Sequence, residues 1–147
     1  MKEAQACLVV DAAWDQDEAA IRSVRRQVFV EEQGIPENLE WDGRDADCFH
    51  VLALAGADEV VATGRLLADG RIGRMAVLPE WRGRGVGSAL LDRLQRCAQD
   101  RGLRRVYVHA QLEVAGFYSR AGFQAVGQPF TVAAIPHIEM TKVPGAG

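Results

Sequence analysis

Between Leu78 and Ser88 the chain reads Leu-Pro-Glu-Trp-Arg-Gly-Arg-Gly-Val-Gly-Ser, and this stretch limits the possible folds more than any other. Pro79 cannot donate to a strand ladder, so the apolar run from Ile72 to Leu78 ends as a strand there. The glycines at 83, 85 and 87 allow backbone torsions that other residues resist, and they remove side chains that would hold a ligand away. Beyond them, Val86, Leu90, Leu94 and Cys97 recur at helical spacing, and the helix runs to about Arg101, with Gly102 as its stop. The order is strand, tight glycine turn, long helix. No Ser, Thr, Asp or Asn stands in the usual capping place, so the first N–H groups of that helix lack an internal partner. A phosphate would satisfy them at the positive end of the helix dipole, beside the cations Arg82 and Arg84.

Three readings of the glycine turn compete. A P-loop requires Lys before the Ser or Thr, and Gly87-Ser88 lacks it. A dinucleotide fingerprint requires Gly-x-Gly-x-x-Gly early in a βαβ unit, with an acid about twenty residues on. Here the pattern is Arg-x-x-Gly-x-Gly after a run of strands, and Gly102 arrives only at the end of the helix. A plain tight turn with no ligand is the third reading.

The rest of the chain supplies the surrounding elements. Leu8-Val9-Val10 reads as a first strand, and Asp15 or Asp17 can cap a helix with Ile21, Val24 and Val28 on one face. That helix should stop near Gly34, since Ile35-Pro36 follows. Phe49–Leu54 and Val60–Leu67 read as strands around the turn Gly56-Ala57-Asp58, and Asp69-Gly70 is a hairpin signal. After the long helix come a strand over Arg104–Ala110, a short helix over Val114–Ala121, and strands over Phe123–Val126 and Ile138–Val143. A meander followed by strand–helix–strand–helix–strand implies an α/β fold with a mixed central sheet flanked by helices. With 147 residues, 48% of them hydrophobic, residues 1–147 form one domain of ordinary size.

Apolar runs such as Val51–Ala55 are too short to cross a bilayer, and the N-terminus is no secretory signal. Cys7, Cys48 and Cys97 are odd in number and widely spaced, which favours free buried thiols in the cytoplasm over disulfides or a metal cage. No metal site is expected. The net charge of −3 conceals a split. Residues 1–60 hold 14 acids and 5 bases, while residues 61–147 hold 6 acids and 12 bases. An anion for the second half and a cation for the first would fit that split, as would two solvated faces. A pI of about 5.6, with bases clustered round the glycine turn, argues against a nucleic-acid partner.

The run from Ile72 to Gly87 resembles the cofactor-binding motif of the GNAT superfamily of N-acyltransferases, and Val114–Phe123 (Val-Ala-Gly-Phe-Tyr-Ser-Arg-Ala-Gly-Phe) resembles its second signature. Val28-Phe29-Val30-Glu31-Glu32-Gln33 and Pro136-His137-Ile138-Glu139-Met140 are similar to a bacterial branch often called ElaA-like. The resemblance covers the chain from about 21 to 142. It implies a GNAT-like fold that binds acetyl-CoA as co-substrate and passes its acetyl group directly to a primary amine in a ternary complex. Met75, Ala76 and Val77 would pair with the pantetheine arm, and the amides of Arg82, Gly83, Arg84, Gly85, Val86, Gly87 and Ser88 would cradle the pyrophosphate. Where many relatives carry Asn after the fifth strand, this chain has His109-Ala110-Gln111, so Gln111 joins the cofactor-binding set with its role open. Tyr118 corresponds to the tyrosine near the thioester sulfur in many members.

The reaction needs a base for the ammonium and an acid for the departing thiolate. Tyr118, a phenol of pKa about 10, suits the acid, or is a core tyrosine. Glu32, at the end of the first helix, and His137 are candidate bases; the plain alternatives are a surface carboxylate and a structural histidine. Trp41, with Glu37, Glu40 and Asp42, could form an aromatic and acidic mouth for a cationic amine, a small molecule or a peptide, or could anchor the core. His50 and His109 read as structural. A non-catalytic acyl-CoA-binding sensor is the second functional reading, with a homodimer left open.

Overall fold

The computed structural model describes residues 7–143. Strand β1 (Leu8–Ala12) leads into helix α1 (Trp14–Arg25), which continues through Arg26–Glu32 as wider π-helical turns. Ile21, Val24 and Val28 are buried at the predicted spacing. Neither Asp15 nor Asp17 is the cap: Ala13 takes that place, and the Asp17 carboxylate reaches back to accept its N–H at 2.9 Å. Trp14 stacks on His50, and the helix starts two residues earlier than a cap at Asp15 would place it. In the π-helical part the Gln33 N–H donates to Val28 five residues back, at 3.1 Å. The wider turn buries the consecutive pair Val28 and Phe29.

A short helix α2 (Glu37–Glu40) precedes an antiparallel meander of β2 (Phe49–Ala55), β3 (Glu59–Leu66) and β4 (Ile72–Val77). Helix α3 (Val86–Asp100) follows the glycine turn, then β5 (Val106–Gln111), helix α4 (Ala115–Arg120), β6 (Gln124–Val132) and β7 (Ile135–Lys142). The sheet order is β1-β2-β3-β4 and β5-β7-β6, antiparallel within each group. The two groups meet at one place. Arg71 bridges Tyr107 in parallel, and the Tyr107 N–H donates to Gly70 O at 3.1 Å. The mixed sheet is therefore two antiparallel halves joined at one end of β4 and β5.

Beyond that junction β4 bends. From Arg65 to Thr63 β3 advances two residues while β4 advances three, from Gly73 to Ala76, so β4 carries a bulge. Arg74 sits in it with φ +48, a strained value for a side-chain-bearing residue. Its side chain is pinned to the last residue of α2: Nη2 donates to Glu40 O at 3.1 Å, and Nε lies 3.2 Å from Glu40 Oε2.

Helix α3 lays Leu90, Leu91 and Leu94 against Val51, Val61 and Ile72 of the meander, all essentially without solvent contact. Truncating such a leucine costs about 2–5 kcal/mol. Under α1 lies a buried ion network. Arg25 reaches Glu40 at 2.8 Å and Asp45 at 2.7 Å, and Arg65 reaches Asp45 at 2.9 Å and Asp42 at 2.6 Å. Burial pushes Glu40 above the usual carboxylate range. Against the same burial, Arg25 and Arg65 hold Asp45 below it. Of the three free cysteines only Cys97 is buried; Cys7 and Cys48 are partly open, correcting the expectation of three buried thiols.

At Gly70 (φ +100) an added Cβ would lie 2.6 Å from the carbonyl oxygen of Arg105. Gly70→Ala should therefore prise the two half-sheets apart and lower stability by about 1–3 kcal/mol. Urea denaturation of both proteins measures this; an unchanged midpoint would mean that the junction tolerates the extra atom.

Candidate functional site

Where β4 and β5 part, the gap widens into a cleft of about 820 Å³. Met75, Ala76 and Val77 form one wall and Gln111 lies on the other; Arg82, Gly83, Gly85, Val86, Gly87 and Ser88 line the end formed by the turn. Glu32 and Tyr118 line it too. Nearly every residue singled out from the sequence is thus brought to one place. Arg84 is an exception among them: its guanidinium lies 4.6 Å above the buried Trp81 ring instead of along the cleft.

Torsion, not crowding, requires two of the glycines. Gly83 and Gly85 have φ +75 and +82, and the space around each is open. Gly85 is the left-handed residue before α3, no side chain caps that end, and the helical ladder begins with Ala89 N–H donating to Gly85 O at 3.1 Å. The preceding amides are left for a ligand with acceptor oxygens. Arg82 spans the mouth: Nε donates to Val77 O at 2.9 Å, and its two terminal nitrogens donate to the Glu32 carboxylate at 2.7 and 2.6 Å. Hydrogen bonding from Arg82 holds Glu32 below its ordinary pKa, so this carboxylate is a weaker base than the bare residue type suggested.

Tyr118 lies between the rings of Phe117 and Phe123, 5.0 and 5.6 Å away between centroids. Burial pushes the phenol up to about 12. Its hydroxyl faces the Met75 thioether sulfur at 3.7 Å, a weak acceptor, so its proton is available to a stronger one entering the cleft. Gln111 Nε2 donates to Gln33 Oε1 at 2.9 Å, tying β5 to the end of the π-helical segment across the cleft.

His137 does not precede the last strand; it lies inside β7, opposite Gln111 on one side and Phe130 on the other. Strands β6 and β7 are longer than the sequence suggested because their hairpin turn has positive φ at Ala133 and Ala134, residues that carry no turn signal. His137 Nδ1 donates to Ile135 O at 2.7 Å, which leaves Nε2 of the neutral ring with its lone pair. His137 lines a second, smaller cavity of about 200 Å³. The two cavities share Gln33, Met75, Gln111, Val114 and Tyr118 and so meet at the tyrosine. Arg71, Arg74 and His109 also line the second cavity; none was singled out for function from the sequence.

The acidic mouth expected for a cation is largely occupied. Glu37 pairs with Arg26, Glu40 with Arg25 and Arg74, and Asp42 and Asp45 with Arg65. Trp41 lines neither cavity; guanidinium groups of Arg22, Arg25 and Arg26 already stand over its ring at 4.6, 5.0 and 5.5 Å. Neutralising contacts within the chain use the charges that the sequence assigned to an acceptor.

The profile of the acetyltransferase (GNAT) domain matches residues 13–144. This chain belongs to the GNAT family. It is 33% identical to the protein ElaA of Escherichia coli over 131 residues, 84% of this chain and 85% of ElaA. It is 32% identical to the uncharacterised N-acetyltransferase YjcF of Bacillus subtilis over 122 residues, 81% of this chain and 87% of YjcF. The crystal structure of ElaA superposes with a TM-score of 0.81, covering 92% of this chain and 99% of that one. An acyl-CoA N-acyltransferase of Pseudomonas aeruginosa, 30% identical, superposes at 0.83 over 94% and 100% of the two chains. The GNAT fold and the ElaA likeness agree with the sequence motifs. As an acyltransferase of this family the chain uses an acyl-CoA and an acceptor. Among the described residues no helix is long and apolar enough to cross a membrane.

Removing the Arg82 guanidinium should free Glu32. In Arg82→Ala the Glu32 carboxyl should titrate higher, back in the ordinary range of a glutamate side chain. An NMR pH titration of its side-chain carbon reads this directly; an unmoved titration would mean that Arg82 is not what holds it down.

Proposed function

We propose that this GNAT protein moves the acetyl group of acetyl-CoA to a primary amine by direct transfer in a ternary complex. The carrying observation is that two cavities of unequal size meet at Tyr118 and Met75. A sensor module would need the larger cavity alone. The meeting point gives a donor and an acceptor a common place to react, which supports an enzyme.

The residues present fit acetyl-CoA. Uncapped amides and left-handed glycines at 83–88 suit a pyrophosphate, and Val77 O, which accepts from the Arg82 side chain at the cleft, suits an amide of an extended arm through its second lone pair. Acetyl-CoA supplies an activated carbonyl and a thiolate leaving group. Met75, Ala76 and Val77 align the arm, and Gln111 closes the cleft over it. His137, through Nε2, takes a proton from the acceptor ammonium so that a neutral amine attacks. With Nδ1 held on Ile135 O, the Nε2 lone pair is the one that can accept it. Glu32, engaged by Arg82, is the weaker candidate for base and serves to position Arg82 at the mouth.

Tyr118 donates its proton to the sulfur as the carbon–sulfur bond breaks. A phenol near 12 is a weak acid, but the thiolate leaves into the same dry surroundings, where burial raises its own proton affinity. Tyr118→Phe keeps the ring and its packing and removes the proton. Turnover of an amine panel should fall by about 10²–10⁴-fold while affinity for coenzyme A holds. Near-normal turnover, measured where chemistry limits the rate, would give the proton to water and leave Tyr118 a packing role.

A further inference from the structure

We infer that the acceptor is a small amino acid, whose carboxylate is held by Arg71 in the second cavity while its amine meets the thioester beside Tyr118. The inference rests on the acetyltransferase reading above and adds the acceptor's charge. Its basis is the charge-bearing lining of the smaller cavity, which is mostly basic: Arg71, Arg74, His109 and His137, with Glu40 as the acid and Gln33, Gln111 and Tyr118 as neutral polar neighbours. Glu40 is committed to Arg25 and Arg74, so it offers no free charge to an amine. Arg74 is committed in turn to Glu40, to the carbonyl of Glu40 and to Asp42.

Arg71 differs from all of these. Its half-buried guanidinium makes no ion pair and no side-chain hydrogen bond with any described residue, and Asp69, next but one in sequence, instead accepts from the Arg71 backbone N–H and from the Tyr107 hydroxyl. Burial lowers the Arg71 pKa and Arg65 adds repulsion, against the smaller pull of Tyr107, Asp69 and Asp42, and the charge is felt at His109, where burial and then Arg71 depress the imidazole. A half-buried cation with no direct ion pair is partly stripped of water, and an incoming anion relieves that cost. The planar guanidinium fork suits a carboxylate in two parallel hydrogen bonds.

Position supports the same assignment. Arg71, just before β4, and Met75, within it, stand at the two ends of the stretch 71–75 that lines the cavity, and Met75 touches the Tyr118 hydroxyl. An anion on Arg71 and an amine beside Tyr118 would therefore occupy the same cavity. At about 200 Å³ the cavity is below the usual range for drug-sized ligands, roughly 300–1,000 Å³, which favours a free small molecule over a peptide segment.

The test is acetyl transfer to glycine, β-alanine and γ-aminobutyrate, each against its own carboxamide, with aminomethylphosphonate as a third arm. Wild-type protein should favour the best amino acid over its carboxamide by about 10- to 100-fold in kcat/KM, the worth of one charged hydrogen-bond pair. Arg71→Gln should abolish that preference, Arg71→Lys should keep part of it, and neither should change affinity for coenzyme A. Carboxamides used as well as amino acids, or a preference that survives in Arg71→Gln, would overturn the inference and leave the acetyltransferase reading standing. A preference for the phosphonate would replace the carboxylate with a tetrahedral anion and overturn the assignment as stated. If no amine in any arm is acetylated while coenzyme A binds, both the inference and the enzyme reading fall.

Discussion

The contact on which the rest of this molecule depends is the single junction between β4 and β5. Two parallel neighbours in a sheet normally pair along their length, whereas here they hold together only at Gly70, Arg71 and Tyr107. Past it the bulge at Arg74 turns β4 aside. A gap in a sheet exposes backbone groups that must find partners elsewhere. In the absence of another strand, the Arg82 side chain serves Val77, and Gln33 with Gln111 bridges the opening. The cleft is a consequence of strand geometry, and its walls are hydrogen-bonding backbone, the surface an extended amide chain would match.

The strain that opens the gap is held by charge. Arg74 keeps a left-handed torsion because its side chain is gripped by Glu40, which is also gripped by Arg25 from helix α1. Buried ion networks of this kind contribute little net stability compared with a packed apolar core, but breaking one strands a charge and is expensive. The network therefore acts as a register pin between α1, the segment after α2, and the bulged strand. It also accounts for the fate of the acidic first half of the chain, whose carboxylates are turned inward on arginines.

Much of this was legible in the sequence where a local rule had one outcome. Pro79, the three glycines and the apolar spacing of Val86, Leu90 and Leu94 gave the strand, the turn and the helix, and the residues of that turn do gather in one cleft. What escaped reading depends on partners distant in the chain. The aspartates near 15 looked like caps, but the helix starts at Trp14, whose ring stacks on His50. Ala133 and Ala134 gave no turn signal, so β6 and β7 were read short and His137 was placed outside the strand that carries it. Charge counts could not distinguish a carboxylate facing solvent from Glu40 or Asp45 facing an arginine. Arg71 was invisible for the same reason: its lack of a counter-ion is a property of the folded neighbourhood.

In this reading the opening between β4 and β5, with the glycine turn at its end, receives coenzyme A. Amide hydrogen exchange with and without coenzyme A, at roughly ten times its Kd, tests this most directly, because bound amides should slow by about tenfold. Slowing is expected to concentrate in Met75–Val77 and in residues 83–88, with β1 and the far end of β6 unchanged. Unchanged exchange at both segments, with coenzyme A bound by calorimetry, would contradict it and place the cofactor elsewhere on the fold.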